Sequence, residues 1–274
     1  MRGHELWEQS RPGTTGGLVL AVDMPSGGNA PGFRQLIPLL NTAHTVWHAV
    51  EQAGAPLGDG GLAAYVEPWA QAVRGSGLTV RAVLGHRVGS VLTGALAEAL
   101  GGPGQPPPSV LLLDPELVDT DLVVSEFHRM VADDPQLRSA EEVTRLEQAL
   151  DVEAERYYDD PAALAVRLRS VFLRAADRSG ARARAAAESL NRAADRLSVL
   201  ALAEAYDVTP VWSHCTALCS SSPGKGLNRT RAALLLPEAG LVAREISVGD
   251  RHTEMLTSPV VARTVSELLT VSER

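Results

Sequence analysis

The residues best suited to chemistry stand at three widely separated positions, Arg87, Asp114 and His252. Arg87 is the centre of Gly85-His86-Arg87-Val88-Gly89, between the apolar run Val80 to Leu84 and a helical pattern from Ser90 to Leu100. Glycines at both ends of such a frame permit a sharp strand-to-helix turn that lifts the central side chain above a sheet. The turn normally carries a serine that attacks a carbonyl carbon. Arginine cannot do so, because its guanidinium stays protonated, with a pKa above about 12. Asp114 closes the run Val110-Leu111-Leu112-Leu113, ahead of Pro115. His252 lies in Val248-Gly249-Asp250-Arg251-His252-Thr253-Glu254-Met255-Leu256. A carboxylate and an imidazole are the parts of a general base, the acid orienting the ring and steadying its cation.

Alternating elements must position these residues. Leu18 to Val22 reads as a buried strand ending in the glycine-rich loop Pro25-Ser26-Gly27-Gly28, and a short helical face from Pro31 to Leu40 leads to a second strand, Thr45 to Val50. Leu62, Tyr65, Val66, Trp69 and Val73 fall at three- and four-residue steps, a helix before the strand Val80 to Leu84. Helix Ser90 to Leu100 stops at Gly101-Gly102-Pro103, ahead of strand Val110 to Leu113. This alternation predicts an α/β architecture: a mostly parallel central sheet with helices on both faces. From about 115 to 206 the pattern is helical, with breaks expected at Pro135, Pro161 and Gly180, as for an inserted helical lid. Strands are expected again at Pro210 to Cys215 and Leu241 to Val248, then a final helix from Pro259 to Leu269. A single domain over 1–274 follows.

Composition excludes several function classes. A net charge of −8 opposes a general nucleic-acid surface, which needs clustered excess cations. Cys215 and Cys219 lack a second Cys/His pair at zinc-ligand spacing, so no metal is expected. The N-terminus has no apolar signal region and no 18 apolar residues run together, so the reading is cytoplasmic, without a membrane role. Met1 and the short lead suggest a free-standing protein.

The chain order of elbow, acid and histidine is that of α/β-hydrolases. Together with the elbow, the Asp-Pro strand end and the Gly-Asp-Arg-His-Thr-Glu-Met-Leu segment, it makes the chain resemble the α/β-hydrolase-fold thioesterases of polyketide and nonribosomal-peptide assembly lines. The resemblance runs from about residue 18 to 270. It implies that Asp114 is the triad acid, His252 the base, and the segment around Ser26 and Gly27, with Val88, the oxyanion donors. His86 would flank the substrate, more as a packing residue than a catalytic one. It implies no cofactor beyond the phosphopantetheine arm of a partner carrier protein. Arg87 in place of serine, Ser90 in place of a second glycine and the inserted Arg251 depart from the pattern.

Two functions fit. In the first, His252 and Asp114 act as a general base on water or a substrate group, for cyclisation, elimination or direct hydrolysis, while Arg87 binds a carboxylate or steadies an oxyanion. In the second, the chain is an inactive relative that binds an acyl chain or a carrier protein. The direction of Arg87 separates them: pairing with Asp114 disfavours catalysis, whereas an open cavity beside an intact Asp114–His252 pair favours it. Ser90 and Cys215 are alternative nucleophiles of low weight. Between Arg167 and Arg196 eight arginines stand against three acids, a basic stripe that could attract an acidic carrier protein, or simply a solvated helical face. Ser222 to Gly226 reads as a surface turn, and His44 and His48 on a strand do not form a metal pair.

Overall fold

The structure is a computed structural model that describes residues 6–24, 32–50, 52, 57–58, 60–102, 107–133, 140–179, 184–233 and 240–271. Seven strands form one sheet: β1 (Trp7–Arg11), β2 (Gly17–Asp23), β3 (Thr45–Ala49), β4 (Thr79–His86), β5 (Ser109–Leu113), β6 (Thr216–Cys219) and β7 (Arg244–Ser247), in the order β1-β3-β2-β4-β5-β6-β7. Every neighbouring pair is parallel except β1 with β3. Parallel strands need crossover connections, and the helices that supply them cover the sheet and let β2 be apolar along almost its whole length.

Alternation along the strands sends side chains to two cores. Leu18, Leu20, Val22, Val83 and Leu112 face α2 (Gly61–Arg74) and α3 (Gly89–Leu100). Val19, Ala21, Val46, Ala82, Leu84 and Leu113 face the short α1 (Phe33–Leu36), the 3-10 turn Ile37–Leu39 and the final helix, α10 (Pro259–Val271). Helices therefore lie on both faces, as the alternating pattern predicts.

Between β5 and β6 the chain inserts α4 (Thr120–Asp133), α5 (Ala140–Arg156), α6 (Pro161–Ser179) and α7 (Arg184–Glu204), which share a core with α2 and α3. Pro161 begins α6, where a missing N–H costs nothing, and the Asp160 carboxylate accepts the Ala163 amide at 2.8 Å. The breaks expected at Pro135 and Gly180 lie outside the described residues.

Three expectations need correction. Val211-Trp212, read as part of a strand, belongs to the one-turn helix α8 (Thr209–Trp212). Pro210 sits in its first turn and the Asp207 carboxylate accepts the Thr209 amide at 2.9 Å, a helix-start signal that outweighs the apolar run. The strand begins after Cys215, at Thr216. The last strand is shorter than expected, because only Arg244–Ser247 pairs with β6. The antiparallel edge strand β1 went unread: it is short and mostly polar, and its single buried residue, Trp7, donates its indole N–H to the Trp69 carbonyl at 3.2 Å. The remaining helix, α9 (Gly226–Ala233), follows β6. No described helix is long and apolar enough to cross a membrane.

Candidate functional site

Three strand ends build the site. At the end of β4 the chain turns through Arg87, at φ 52°, directly into α3. Left-handed backbone is unusual for a branchless long side chain and costs about 1–2 kcal/mol. The flanking glycines make the turn feasible: a Cβ on Gly85 would stand 2.7 Å from the Ser90 Cα, and one on Gly89 would stand 2.6 Å from the Val22 carbonyl oxygen. The elbow is thus wedged between α3 and β2.

At the end of β5, Asp114 also adopts positive φ, 43°, and is 1% exposed. Its Oδ1 accepts the Ser220 amide at 2.7 Å and its Oδ2 meets His252 Nδ1 at 2.7 Å. A carboxylate only accepts, so His252 Nδ1 is the donor in this contact. Burial by itself raises the Asp114 pKa, but the bonds from His252 and Ser220 outweigh it and hold the carboxyl below its ordinary range. The His252 amide donates to Ser222 Oγ at 3.1 Å, fixing the turn that carries the ring.

Arg87 does not touch this pair. Its Nε donates to Glu116 Oε2 at 3.0 Å, and its terminal nitrogen lies 3.6 Å from Glu126 Oε1. Glu116 is 1% exposed and also accepts the Gly226 amide at 3.4 Å, while Glu126, on α4, pairs with Arg129 one turn on. Two arginines and two glutamates thus form a charge-balanced cluster tying the elbow to the inserted helices. Any anion bound by Arg87 has to displace carboxylates the chain itself provides. The cavity beside the elbow, lined among others by Met24, His86, Arg87, Val88 and Glu126, measures about 20 Å3. A much larger cavity, about 620 Å3, lies between the start of α4, the α5–α6 turn and α9, with Leu117, Asp119, Tyr158 and Arg229 on its walls.

His86, the last residue of β4, stacks on His252 with ring centroids 5.9 Å apart and meets Phe33 edge-on at 6.4 Å. Burial, with smaller contributions from Arg87 and His252, pushes its pKa down to about 3, so the ring is neutral at any ordinary pH. A second pair stands nearby: His48 Nε2 meets Asp23 Oδ1 at 2.7 Å, and Asp23 Oδ2 accepts the Phe33 amide at 3.0 Å. His44 Nδ1 lies 3.0 Å from Thr15 Oγ1, and the described residues contain no group of three or more His, Cys, Asp or Glu placed to hold a metal ion.

No protein-family model and no curated protein sequence matches the chain. Solved structures do. The Vlm2 thioesterase domain, in a structure bound with a dodecadepsipeptide, superposes with a TM-score of 0.51 at 19% identity over 97% of both chains. The NocB thioesterase domain from the nocardicin cluster gives 0.53 at 16% identity, over 97% of this chain and 99% of that one. A four-domain nonribosomal peptide synthetase, AB3403, gives 0.56 at 13% identity over 96% of this chain and 20% of the larger protein. With the seven-stranded, mostly parallel sheet, these likenesses decide the architecture.

This is an α/β-hydrolase fold. Within it, Arg87 occupies the elbow, and Asp114 and His252 follow the next strand and the last strand. Ser26 and Gly27 lie outside the described residues, whereas Val88 opens α3 at the elbow. Neither alternative nucleophile is available. Ser90 is fully buried, and Cys215 is buried ahead of β6 rather than at a strand end, with burial pushing its thiol up to about 12. The Ser222–Gly226 turn is more than a surface turn, since Ser222 and Gly226 bond to the His252 amide and to Glu116. Glu116, Glu126 and Ser220 were not singled out from sequence. The usable signal was Arg87 itself, because a cation at a packed elbow demands carboxylates, and Glu116 follows Asp114 by two residues.

Proposed function

We propose that this chain is a thioesterase-like protein of polyketide or nonribosomal-peptide biosynthesis that acts on a carrier-tethered or newly released acyl chain without forming an acyl-enzyme. His252, oriented by Asp114, serves as general base toward water or a substrate group. The observation that carries this reading is the 2.7 Å Asp114–His252 bond, intact beside an arginine that takes its carboxylates from Glu116 and Glu126. General-base catalysis contributes roughly 10²–10⁴-fold without a covalent step. The inserted helices serve as the lid, and the 620 Å3 cavity is where an acyl chain would lie: its wall at Leu117 continues from Glu116, and its Arg229 belongs to the helix that starts at Gly226. Arg87 holds the elbow against α4, and its role toward a substrate anion begins only when Glu126 releases it. The partner would be an acyl or peptidyl carrier protein bringing a phosphopantetheine arm. The basic stretch from Arg167 to Arg196 is the surface for it, although residues 180–183 lie outside the described part.

A second reading, a non-catalytic binder, draws on the same cluster. The elbow cavity of about 20 Å3 has no room for an acyl group, and Arg87 is held beside it by Glu116. Two variants decide between them, Arg87→Ser and His252→Ala, assayed with an acyl-N-acetylcysteamine thioester and with a carrier-bound chain. Catalysis by His252 predicts turnover in the wild type, a large loss in His252→Ala and no gain in Arg87→Ser. An inactive wild type, indistinguishable from His252→Ala, favours the binder.

A further inference from the structure

The cavity of about 620 Å3 carries more than an apolar wall. Leu117, Val118, Tyr158 and Pro161 give it a surface for a carbon chain, but its charged residues are Asp119, Asp121, Asp159 and Arg229. Three carboxylates stand against one guanidinium. Arg229 is already committed, since its Nε donates to Asp119 Oδ2 at 3.1 Å and its terminal nitrogen reaches the other Asp119 oxygen. Asp119 is committed in turn, because it also accepts the Leu122 amide at 2.8 Å at the start of α4.

Two acids are left over. Asp121 comes no nearer than 3.9 Å to Arg229, and its side chain is 83% exposed. Asp159 has no hydrogen bond or ion pair among the described residues. The N-termini of α4 and α6 contribute Thr120 and Pro161 to the same wall, each end bringing about half a positive charge. Those ends are already answered, because the Asp119 and Asp160 carboxylates accept amides there. The field that remains is negative and would repel a ligand carboxylate. The acids are also spread out: no described group of three or more His, Cys, Asp or Glu is placed to hold a metal ion. Dispersed carboxylates around an apolar hollow suit an organic cation instead. The Tyr158 ring, 66% exposed on the same wall, offers such a cation a π face.

Thr230 is an independent sign of a ligand. It lines the cavity, is 3% exposed, and its hydroxyl has no hydrogen-bond partner among the described residues. A helical threonine can return its hydroxyl to a carbonyl three or four residues back, and buried polar groups are ordinarily satisfied. A hydroxyl left unspent on a cavity wall is a place for a polar group of a bound molecule.

We propose that this cavity binds an acyl chain bearing a protonated amine, an aminoacyl or short peptidyl chain, with the ammonium drawn by Asp121 and Asp159 and a polar group of the chain on Thr230. The inference rests on the reading of this cavity as the acyl-chain site and names the chain it takes. Binding there does not depend on His252. The volume of about 620 Å3 falls within the roughly 300–1,000 Å3 of small-molecule sites. Selection is by charge: a fatty chain gains nothing from Asp121 and Asp159, and a chain ending in a carboxylate is repelled.

The test is calorimetric titration of the whole chain, at low salt, with three amides of nearly equal size: ω-aminohexanamide, heptanamide and the monoamide of adipic acid. The amine should bind about tenfold or more tightly than heptanamide and the carboxylate more weakly than either, with the advantage of the amine shrinking as salt is raised. In Asp121→Asn/Asp159→Asn the ratio of amine to heptanamide affinity should fall toward one. Thr230→Val, of equal shape, should bind the amine severalfold more weakly with no loss of melting temperature, which a purely structural hydroxyl would not produce. Should the double variant not fold, the three wild-type affinities still decide. The proposal is overturned by equal binding of the amine and heptanamide, by tighter binding of the carboxylate, by an amine preference that survives in the double variant, or by a Thr230→Val that binds as wild type does. If heptanamide binds and the amine gains nothing, only the present inference fails. If none of the three binds, the acyl-site reading fails and takes the inference with it. If the amine preference is found while His252→Ala turns over an acyl-N-acetylcysteamine thioester like wild type, the general-base reading fails and the preference of the cavity stands.

Discussion

Arg87 Nε donates to a carboxylate oxygen of Glu116 at 3.0 Å, and Glu116 is 1% exposed. The turn from β4 into α3 therefore brings a cation together with a buried anion from the neighbouring strand end. Burying the pair is tolerable because Glu116 also accepts an amide and Arg87 keeps a second acid, Glu126, within 3.6 Å. The acid of the histidine pair, Asp114, is left entirely to His252 and Ser220. Two carboxylates separated by one proline thus serve two different donors, His252 and Arg87.

Breaking the Arg87 pair should destabilise the fold. Arg87→Ala leaves Glu116 buried without its cation, and a loss of about 2–3 kcal/mol is expected, below the roughly 3–5 kcal/mol of a fully buried pair because Arg87 is partly exposed. The double variant Arg87→Ala/Glu116→Gln should recover part of that loss. Urea unfolding of the four proteins in the cycle measures it, and strictly additive changes would show that the pair contributes no coupling.

Asp114→Asn should leave the fold in place but turn the histidine. Asparagine can offer its amide N–H to Nδ1, which then places the proton on Nε2, so any His252-dependent turnover should fall by about 10²-fold or more. A stopped assay of the variant beside His252→Ala checks this. Equal activity of Asp114→Asn and wild type would remove Asp114 from the mechanism.

Acid should weaken the protein through His86. Its folded pKa, about 3, lies below the unfolded value near 6.5, so between these limits the unfolded chain binds more protons. The stabilisation is complete above about pH 6.5 and is lost as pH falls toward 3. Asp114 and Asp23, both held below their ordinary range, add a further loss below about pH 4. Melting temperatures from pH 8 to 4 should decline earlier in wild type than in His86→Gln, which has no imidazole to charge. Parallel curves for the two proteins would show that His86 does not control this limb.

Gly89→Ala should be among the most damaging small substitutions. Its Cβ would stand 2.6 Å from the backbone carbonyl oxygen of Val22, which cannot step aside without moving β2. About 2 kcal/mol or more of destabilisation is expected, seen as a lowered unfolding midpoint. Gly102→Ala, with open space around its Cβ, is the control and should be nearly silent.

Much of the architecture was legible from local pattern. The run Leu18 to Val22 and the helical spacing of Leu62, Tyr65, Val66, Trp69 and Val73 carry their burial in their periodicity, and the structure buries every one of them. The edge strand β1 was not legible, because it is short and mostly polar and its one buried side chain, Trp7, meets the Trp69 carbonyl 62 residues away. The stretch around Val211 misled because four apolar or β-branched residues look alike in a strand and in a one-turn helix, and the Asp207 carboxylate and Pro210 decide for the helix.

The sequence by itself determined the types of group at the site: an elbow that cannot form an ester, an acid at the next strand end and a histidine before the last helix. Residue chemistry and glycine spacing are local properties, and a chain carries them without being folded. Only the tertiary structure decided who pairs with whom. Arg87 had Asp114 and Glu116 almost equally near along the chain, and the choice fell to the backbone at the end of β5. There the Asp114 side chain is turned toward Ser220 and His252, and Glu116, two residues on, is brought to the guanidinium. The partners of a buried charge are set by where strand ends and inserted helices meet, and that meeting is fixed by the packing of the whole sheet.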